Sequence, residues 1–381
     1  MNRWIVLAAS VVLQLVLGGV YAWSILGTSL EADYGLTQGQ TGLIFGITIA
    51  VFTIVMIPAG RLLKKVGPRK LAAFGAILFA AGYILASYSK GQFPLLVIGI
   101  GIITGAGIGS GYVCPLTVGM KWFPKNKGLV TGVAVAGFGG GAIALTFLAE
   151  YLLNNLGWNV LQVFKLIGLG LGGVAFIAGL FLSEPAPVIH KNINRQQVLG
   201  IKNYILSRPF VMLCVGMFAG TFAGLLAVGN LNSILLDLNF DKKAAALGIS
   251  IFAVGNALGR VVWGQIHDKL GVRSTLMLSL ACIGIFVIPF AFELSQIYLL
   301  ISTGIVGASF GAFFVVFASS MVKYYGTELF PSLYPICFLG YGLAAIIGPA
   351  TGGWIADATG SFTIAIVLSA SIVFTALIAI A

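Results

Sequence analysis

The sequence predicts an all-α membrane protein with twelve transmembrane helices, arranged as two six-helix bundles that a pseudo-two-fold axis relates. Three observations support this fold class. Of the 381 residues, 59% are hydrophobic and 8% are charged, which leaves too few polar side chains to cover a soluble fold. Apolar runs of about 20 residues, long enough to cross a bilayer, follow one another along the chain. A short basic motif occurs twice, once in each half.

The basic motif reads GRLLKKVGPRK at 60–70 and GQIHDKLGVR at 264–273. Both copies place Gly, an aliphatic residue, Lys, a second aliphatic residue, Gly and Arg at the same offsets, and both follow a long apolar run. Such duplication is typical of secondary transporters, whose halves rock about a shared central site. We therefore predict an N-terminal bundle at 1–182, a cytoplasmic linker at 183–208 and a C-terminal bundle at 209–381.

Each predicted helix is an apolar run bounded by polar residues, glycine or proline. In chain order the predicted spans are 4–26, 41–63, 71–89, 94–120, 128–153, 158–182, 209–236, 244–266, 275–292, 296–322, 332–354 and 361–381. The first span has no small-residue cleavage site before the next loop, so we predict a retained helix and not a signal peptide. The polar stretch between the sixth and seventh spans predicts a cytoplasmic linker with a short surface helix near 195–206.

The net charge of +11 is distributed unevenly. With the N-terminus in the cytoplasm, the cytoplasmic side holds Arg3, Arg61, Lys64, Lys65, Arg69, Lys70, Lys121, Lys125, Lys127, Lys191, Arg195, Lys202, Arg208, Lys269, Arg273 and Lys323. The outer loops hold Lys90, Lys242 and Lys243. This asymmetry predicts a multi-pass protein of the cell membrane, the inner membrane in a bacterium, with both termini in the cytoplasm. The basic charge thus orients the chain and indicates no nucleic-acid partner.

The sequence lacks the residue patterns of enzymes and metal proteins. The four cysteines all lie inside predicted helices at spacings that no metal site uses: Cys114, Cys214, Cys282 and Cys337. The two histidines, His190 and His267, are isolated from paired acids and cysteines, and no phosphate-binding loop is present. We therefore predict no catalytic residues, no metal and no cofactor, and we do not expect an enzyme.

Two charged residues lie inside the apolar spans and away from their ends, Lys165 and Arg260. An arginine within a membrane helix costs about 2.5 to 3.5 kcal/mol on insertion scales, so it usually marks a pathway or a binding site. Asn256 lies one turn before Arg260 on the same face. The alternative is that Arg260 snorkels to the headgroups. Lys165 is near the outer end of its helix, and we expect it to snorkel or to contact a neighbouring helix.

Several of these features resemble the major facilitator superfamily, in particular its oxalate/formate antiporter and monocarboxylate transporter branch. The resemblance rests on the twelve helices, the duplicated basic loop, GVYAWSI in the first helix and KWFPKNKG after the fourth, and it covers essentially the whole chain. It implies two bundles that give alternating access to a central site. The first loop of the family usually carries Asp where this chain has Lys64, whereas the second copy keeps Asp268. This departure weakens the case for a cytoplasmic charge-relay lock in the N-terminal half.

The resemblance also implies the residues of a substrate site. Arg260 matches the arginine that binds the substrate carboxylate in this branch, with Asn256 orienting it, and a guanidinium can hold a carboxylate through two hydrogen bonds. Aromatic residues that match cavity-lining positions are Tyr112, Phe310, Phe314, Phe338 and Tyr341. Phe138, in the glycine-rich AGFGGGA of the fifth helix, is a further candidate. Taken alone, such aromatic stripes more often indicate helix packing.

The expected substrate is a small monocarboxylate such as lactate, pyruvate or formate. Oxalate-exchanging members of the branch pair the arginine with a lysine in the eleventh helix, and this chain has Tyr341 there. One buried guanidinium balances one carboxylate, whereas a dianion would leave a charge uncompensated in a low-dielectric cavity. We expect Tyr341 or Tyr112 to donate to the remaining substrate oxygen.

Proton coupling is expected, although the usual proton carriers are replaced. The resemblance to animal monocarboxylate transporters implies a lysine in the first helix and an aspartate before the arginine, where this chain has Ile25 or Leu26 and Asn256. Asp237, at the outer end of the seventh helix, could titrate near an outer gate, or the proton could cross on the substrate. Anion exchange of the oxalate:formate type would need neither.

The expected partners are a small organic anion, protons and the lipid bilayer, and we expect a monomer. A passive anion channel would also use a pore-lining arginine, but duplicated halves favour alternating access.

Overall fold

The computed structural model describes residues 2–185 and 201–380. Within these residues the chain is helical and has no β-strand. The membrane-spanning helices of the first half are α1 (Arg3–Tyr34), α2 (Gln38–Val66), α3 (Pro68–Ser87), α4 (Phe93–Trp122), α5 (Lys127–Asn155) and α6 (Val160–Leu180). The second half contains α7 (Arg208–Asp237), α8 (Lys242–Leu270) and α9 (Val272–Ala291), then one continuous helix Gln296–Thr359 and a final helix Thr363–Ile380.

The continuous helix Gln296–Thr359 crosses the membrane twice. Its 64 residues would measure about 96 Å, whereas a bilayer core is about 30 Å thick. Gly326 interrupts it with non-helical dihedral angles, φ 78° and ψ 165°. Residues 296–325 therefore form α10 and residues 327–359 form α11, which leaves Thr363–Ile380 as α12. The predicted fold class of twelve crossings is confirmed by this arrangement.

The repeated basic motif forms the same turn in both halves. Gly67 ends α2 with φ 80° and Gly271 ends α8 with φ 81°, a region that a side chain would strain. The N–H of each glycine donates to the carbonyl four residues earlier, Leu63 O at 2.9 Å and His267 O at 3.1 Å. The next helix begins at the following residue in each half, so the motif produces two matching helical hairpins.

Close helix packing within each half depends on small residues. A Cβ atom on Gly75 of α3 would lie 2.8 Å from Gly107 O and 2.8 Å from Gly111 N in α4. In the second half, a Cβ atom on Gly255 of α8 would lie 3.2 Å from Ala308 N in α10. Membrane helices associate by close contact of this kind, since lipid supplies little hydrophobic driving force between them.

The two bundles meet through α2 with α11 and through α5 with α8, two helix pairs that the pseudo-two-fold axis exchanges. Phe52 of α2 and Phe338 of α11 place their ring centroids 5.7 Å apart. Gly128 of α5 donates its N–H to Asp268 of α8. The predicted division into domains falls in the segment between α6 and α7, and its limits stay a prediction.

One end of the molecule, here called the basic end, holds the loops after α2, α4, α8 and α10. Lys121 at the end of α4 pairs with Glu328 at the start of α11, at 3.3 Å. Arg208 at the start of α7 and Arg273 at the start of α9 line one recess with Ile380 at the end of α12. These helix ends therefore lie together.

Several helices extend beyond the predicted spans. α1 continues to Tyr34 instead of ending at residue 26, and Gly35 with φ 68° closes it. α8 continues to Leu270 instead of ending at residue 266. The reason is that helical hydrogen bonding persists into polar residues beyond the apolar core, which hydrophobicity alone does not report. Of the predicted surface helix near 195–206, the structure shows Ile201–Ile205, and residues 195–200 lie outside the described part.

Candidate functional site

Arg260 lies inside α8 and is 1% exposed, the largest fully buried side chain of the described residues. Its Nε donates to Asn256 Oδ1 at 3.2 Å. Its Nη1 donates to the carbonyl oxygen of Val135 at 2.6 Å, so the guanidinium reaches from the C-terminal half to α5 of the N-terminal half. Its Cζ lies 4.8 Å from the ring centroid of Phe314, a cation–π contact. These contacts place a fixed positive charge at the boundary between the halves.

Room for the guanidinium comes from a glycine in α5. A Cβ atom built on Gly139 would lie 3.3 Å from Arg260 Cζ, tighter than most such contacts. The adjacent Gly140 would meet nothing within 4 Å. The glycine-rich stretch of α5 therefore has a local role at Gly139, where only a residue without a side chain leaves the arginine in place.

Arg260 has no acidic partner among the described residues. The ion pairs found there both involve Lys121, with Glu184 at 3.1 Å and with Glu328 at 3.3 Å. The acceptors of Arg260 are instead a neutral amide and a backbone carbonyl. A buried charge without a counter-ion is costly, and a guanidinium has five N–H donors. The site is therefore chemically suited to hold an anion.

Aromatic rings from both halves surround Arg260. Tyr112 of α4 lies 5.2 Å from Phe138 of α5 and 5.4 Å from Phe338 of α11, between ring centroids. Phe338 lies 5.0 Å from Tyr341, and Phe314 lies 5.2 Å from Tyr341. All five rings are buried. The five predicted positions thus form one continuous aromatic cluster, which α4, α5, α10 and α11 contribute.

The remaining two predicted binding residues support this cluster. Phe310 packs against Phe314, with centroids 5.2 Å apart and planes at 89°, and against Phe252 on its other side. Phe310 therefore lies behind Phe314. Asn256 accepts a hydrogen bond from Arg260 Nε, and its role in orienting the guanidinium stays a prediction.

Three further aromatic residues belong to the cluster and were not among the predicted site residues. The Tyr21 hydroxyl of α1 is hydrogen-bonded to the Tyr341 hydroxyl. Phe52 of α2 lies 5.2 Å from Tyr112. Tyr334 donates from its hydroxyl to Phe314 O at 3.3 Å. Tyr21 lies within the GVYAWSI segment, and Tyr334 lies one helical turn before Phe338 in α11, so both had a sequence signal. Phe52, in contrast, lies in an ordinary apolar run.

Asp237 is not brought to the site. It is the last residue of α7 and is exposed, near the start of α8, whereas Arg260 lies 18 residues into that helix, about 27 Å along the axis. Lys165 is also remote from the cluster: its Nζ lies 5.9 Å from the ring centroid of Tyr88, and its side chain is exposed.

Between the site and the basic end, the two halves are held together by contacts of α5 with α8. Asp268 of α8 accepts hydrogen bonds from Gly128 N and Leu129 N, each at 2.9 Å. These are free N–H groups of the first turn of α5, so the carboxylate caps a helix of the opposite half. A Cβ atom on Gly264 would lie 2.8 Å from the carbonyl carbon of Gly128, which shows how closely α5 and α8 approach there.

The other side of the site is closed by the hydroxyl pair of Tyr21 and Tyr341. Arg260 lies ten residues before the end of α8 at the basic end, about 15 Å, and Tyr341 lies fifteen residues after Gly326, about 22 Å. Counted along the helix axes, Tyr341 therefore lies farther from the basic end than Arg260 does. Contacts between the halves enclose Arg260 from both directions.

The family model of the Major Facilitator Superfamily matches residues 9–235 and 213–381. The chain belongs to the major facilitator superfamily. It is 24% identical to the "Oxalate:formate antiporter" of Oxalobacter formigenes over 94% of this chain and 86% of that protein. It is 25% identical to "Monocarboxylate transporter 13" of Rattus norvegicus over 96% of this chain and 85% of that protein. This chain is therefore a superfamily transporter of the oxalate:formate and monocarboxylate branch, as predicted.

Solved superfamily structures share the fold. A crystal structure of the transporter FucP in the outward conformation superimposes with a TM-score of 0.79 at 17% identity, covering 98% of this chain and 97% of FucP. At this identity the likeness concerns the fold alone. It supports the fold of two helical bundles described above.

Proposed function

We propose that this chain is a secondary transporter of small monocarboxylates that works by alternating access, with Arg260 binding the carboxylate. The observation that carries the proposal is a buried guanidinium at the boundary between the halves, with no acidic partner among the described residues. A substrate carboxylate would supply the missing counter-charge through two parallel hydrogen bonds. Because both halves contact the guanidinium, substrate binding there would be coupled to the relative position of the two bundles.

A single positive charge supports a monocarboxylate over a dicarboxylate. The cluster around Arg260 is aromatic. Tyr341 occupies the position where oxalate-exchanging members of the oxalate/formate and monocarboxylate branch have a lysine. A second carboxylate would enter a buried environment without a charged partner, at a cost of several kcal/mol. The hydroxyl groups of Tyr341 and Tyr112 are suited to a neutral contact, such as the keto or hydroxyl oxygen of pyruvate or lactate.

We propose further that protons cross together with the substrate. A mid-membrane carboxylate beside Arg260 is absent from the described residues, and Asp237 lies exposed at a helix end. This supports a proton carrier other than a carboxylate beside Arg260, with Asp237 acting at most at the outer entrance. An Asp237→Asn variant would then keep most of its pH-driven uptake.

Anion-for-anion exchange is the second candidate, and the similarity to the oxalate:formate antiporter favours it. Uptake into proteoliposomes separates the candidates. Labelled lactate, pyruvate, formate and oxalate would each be offered with and without an inward proton gradient, and with and without unlabelled substrate inside. Symport predicts accumulation driven by the gradient alone, exchange predicts uptake only with internal substrate, and a channel predicts uptake that does not saturate. The proposal would be overturned if uptake did not saturate for any of the four acids, or if uptake did not depend on Arg260.

The proposed orientation places the basic end in the cytoplasm, in a cell membrane. Lys and Arg residues concentrate at that end, as the positive-inside rule requires. Single cysteines at Ser207 of the basic end and at Asn239 of the opposite end would test it with a membrane-impermeant thiol reagent. We expect labelling from outside at position 239 and protection at position 207, and the reverse result would invert the orientation.

A further inference from the structure

The membrane-facing surface of the C-terminal half contains a groove between α7 and α12. Three adjoining recesses form it. The first lies at the basic end, and Arg208, Arg273 and Tyr324 are among its lining residues. The second shares Arg208 and Met212 with the first. The third shares Val215 with the second and continues toward the middle of the molecule. Because neighbouring recesses share lining residues, they form one continuous groove.

The groove has the length and the chemistry of a site for a hydrocarbon chain. It follows α7 from Arg208 to Ala219, about 16 Å, which matches one leaflet of a bilayer core of about 30 Å. Its walls are apolar apart from Ser371 and Thr375 of α12. The hydroxyls of these two residues donate at 2.8 Å to carbonyls of their own helix. They therefore present little unsatisfied polarity to the groove.

The mouth of the groove is positively charged. Arg208 is the first residue of α7 and Arg273 is the second residue of α9, and both side chains are exposed. Two helix N-termini, each with a positive dipole end, therefore converge there. Tyr324 is 47% exposed beside them, and tyrosine is typical of the headgroup level.

We propose that this groove binds an anionic phospholipid, with the phosphate at Arg208 and Arg273 and one acyl chain along α7 and α12. Arginine pairs with phosphate through two hydrogen bonds, and basic pockets between membrane helices select anionic headgroups. A zwitterionic lipid carries its own cation beside the phosphate, so it gains less from the two arginines. The site lies on the membrane-facing surface of one half, apart from Arg260, and it does not depend on which substrate is transported.

Native mass spectrometry of the delipidated full chain tests the proposal. Dioleoyl phosphatidylglycerol and dioleoyl phosphatidylcholine, which have the same acyl chains, would be titrated separately. We expect phosphatidylglycerol to bind more tightly, and Arg208→Gln with Arg273→Gln to weaken it about fivefold for each arginine removed. The matched control is Arg69→Gln with Lys70→Gln, which removes the same charge from exposed residues at the same end but outside the groove.

A second variant tests the acyl chain separately from the charge. Val215 is 43% exposed, so Val215→Trp should fold while filling the groove and leaving both arginines in place. We expect it to weaken phosphatidylglycerol binding, and we expect glycerol 3-phosphate not to displace the bound lipid. Equal binding of the two lipids, unchanged binding in the double arginine variant, or full displacement by glycerol 3-phosphate would each overturn the proposal.

Discussion

The hydroxyl groups of Tyr21 and Tyr341 are hydrogen-bonded to each other across the boundary between the two halves. Tyr21 lies in the 3-10 segment Gly19–Ala22 that interrupts α1, and Tyr341 lies in α11. This pair closes the site on the side away from the basic end, while Asp268 closes the basic end by capping α5. The chain is therefore seen with Arg260 enclosed, and one of the two closures must open before a substrate can reach it.

The charge preference of the site should depend on Tyr341. We expect oxalate to be a poor substrate of the unmodified protein, and Tyr341→Lys to improve oxalate relative to lactate, because a second cation would balance the second carboxylate. Competition of unlabelled acids against labelled lactate in proteoliposomes measures the ratio. Tyr341→Phe is the control, since it removes the same bond to Tyr21 without adding charge and should not favour oxalate. Efficient oxalate exchange by the unmodified protein would refute the one-charge argument.

Arg260 should anchor the substrate. Arg260→Ala should abolish binding, because removing the charged partner of a buried carboxylate costs about 2 to 5 kcal/mol. Arg260→Lys keeps the charge but loses the planar fork, so it should fold and lose most transport. Asn256→Ala removes one neutral hydrogen bond, worth about 1 kcal/mol, and should be mild.

Thermal stabilisation of the purified protein by lactate measures this order without requiring transport. An Arg260→Ala variant that lactate still stabilises with near-normal affinity would remove Arg260 from the site.

The glycine that accommodates the guanidinium should be sensitive to a single methyl group. Gly139→Ala would place a Cβ atom 3.3 Å from Arg260 Cζ, so the guanidinium must shift by a few tenths of an ångström. We expect weaker lactate binding with little loss of stability. Gly140→Ala is the control, because its Cβ would meet nothing within 4 Å and both changes raise helix propensity equally. Equal lactate affinity in the two variants would show that the position of Arg260 is not critical.

The two contacts that hold the basic end closed should differ in strength. Asp268 accepts two hydrogen bonds from the first turn of α5, and losing such a cap costs about 0.5 to 2 kcal/mol. The Lys121–Glu328 pair is exposed, with 81% of the Glu328 side chain accessible, and exposed pairs contribute about 0 to 1 kcal/mol. Asp268→Ala should therefore open the basic end more than Glu328→Ala does.

Spin labels at positions 125 and 269, on a cysteine-free background, measure that opening as a distance distribution. Both residues are exposed at the basic end. A larger change in Glu328→Ala than in Asp268→Ala would reverse the assignment of the stronger closure.

Much of the candidate site could be predicted because Arg260 is conspicuous in its local sequence. A charge in an apolar run is visible without a structure, and the resemblance then supplied the aromatic positions on α4, α10 and α11. Phe52 could not be found in this way, since one phenylalanine in an apolar helix resembles every other. Asp237 illustrates the opposite case: its acidity made it a candidate, but its place at a helix end separates it from Arg260.

The closure at the basic end was only partly visible in the sequence. The replacement of the usual Asp by Lys64 weakened the case for a lock in the N-terminal copy of the motif. In the second copy, Asp268 makes the capping contacts with α5. That Glu328 would pair with Lys121 on the other side could not be predicted, because the two residues lie far apart in the chain and no spacing rule connects them.

The sequence by itself determined the membrane class, the number of crossings, the duplication and the position of the buried charge. These follow from composition, apolar length and repeated spacing, which are properties of neighbouring residues. Only the tertiary structure decided which groups meet: the Val135 carbonyl with Arg260, and Tyr21 with Tyr341, 320 residues away. The physical reason is that both contacts form between separate bundles, so they depend on how helices of the two halves pack and not on any local pattern.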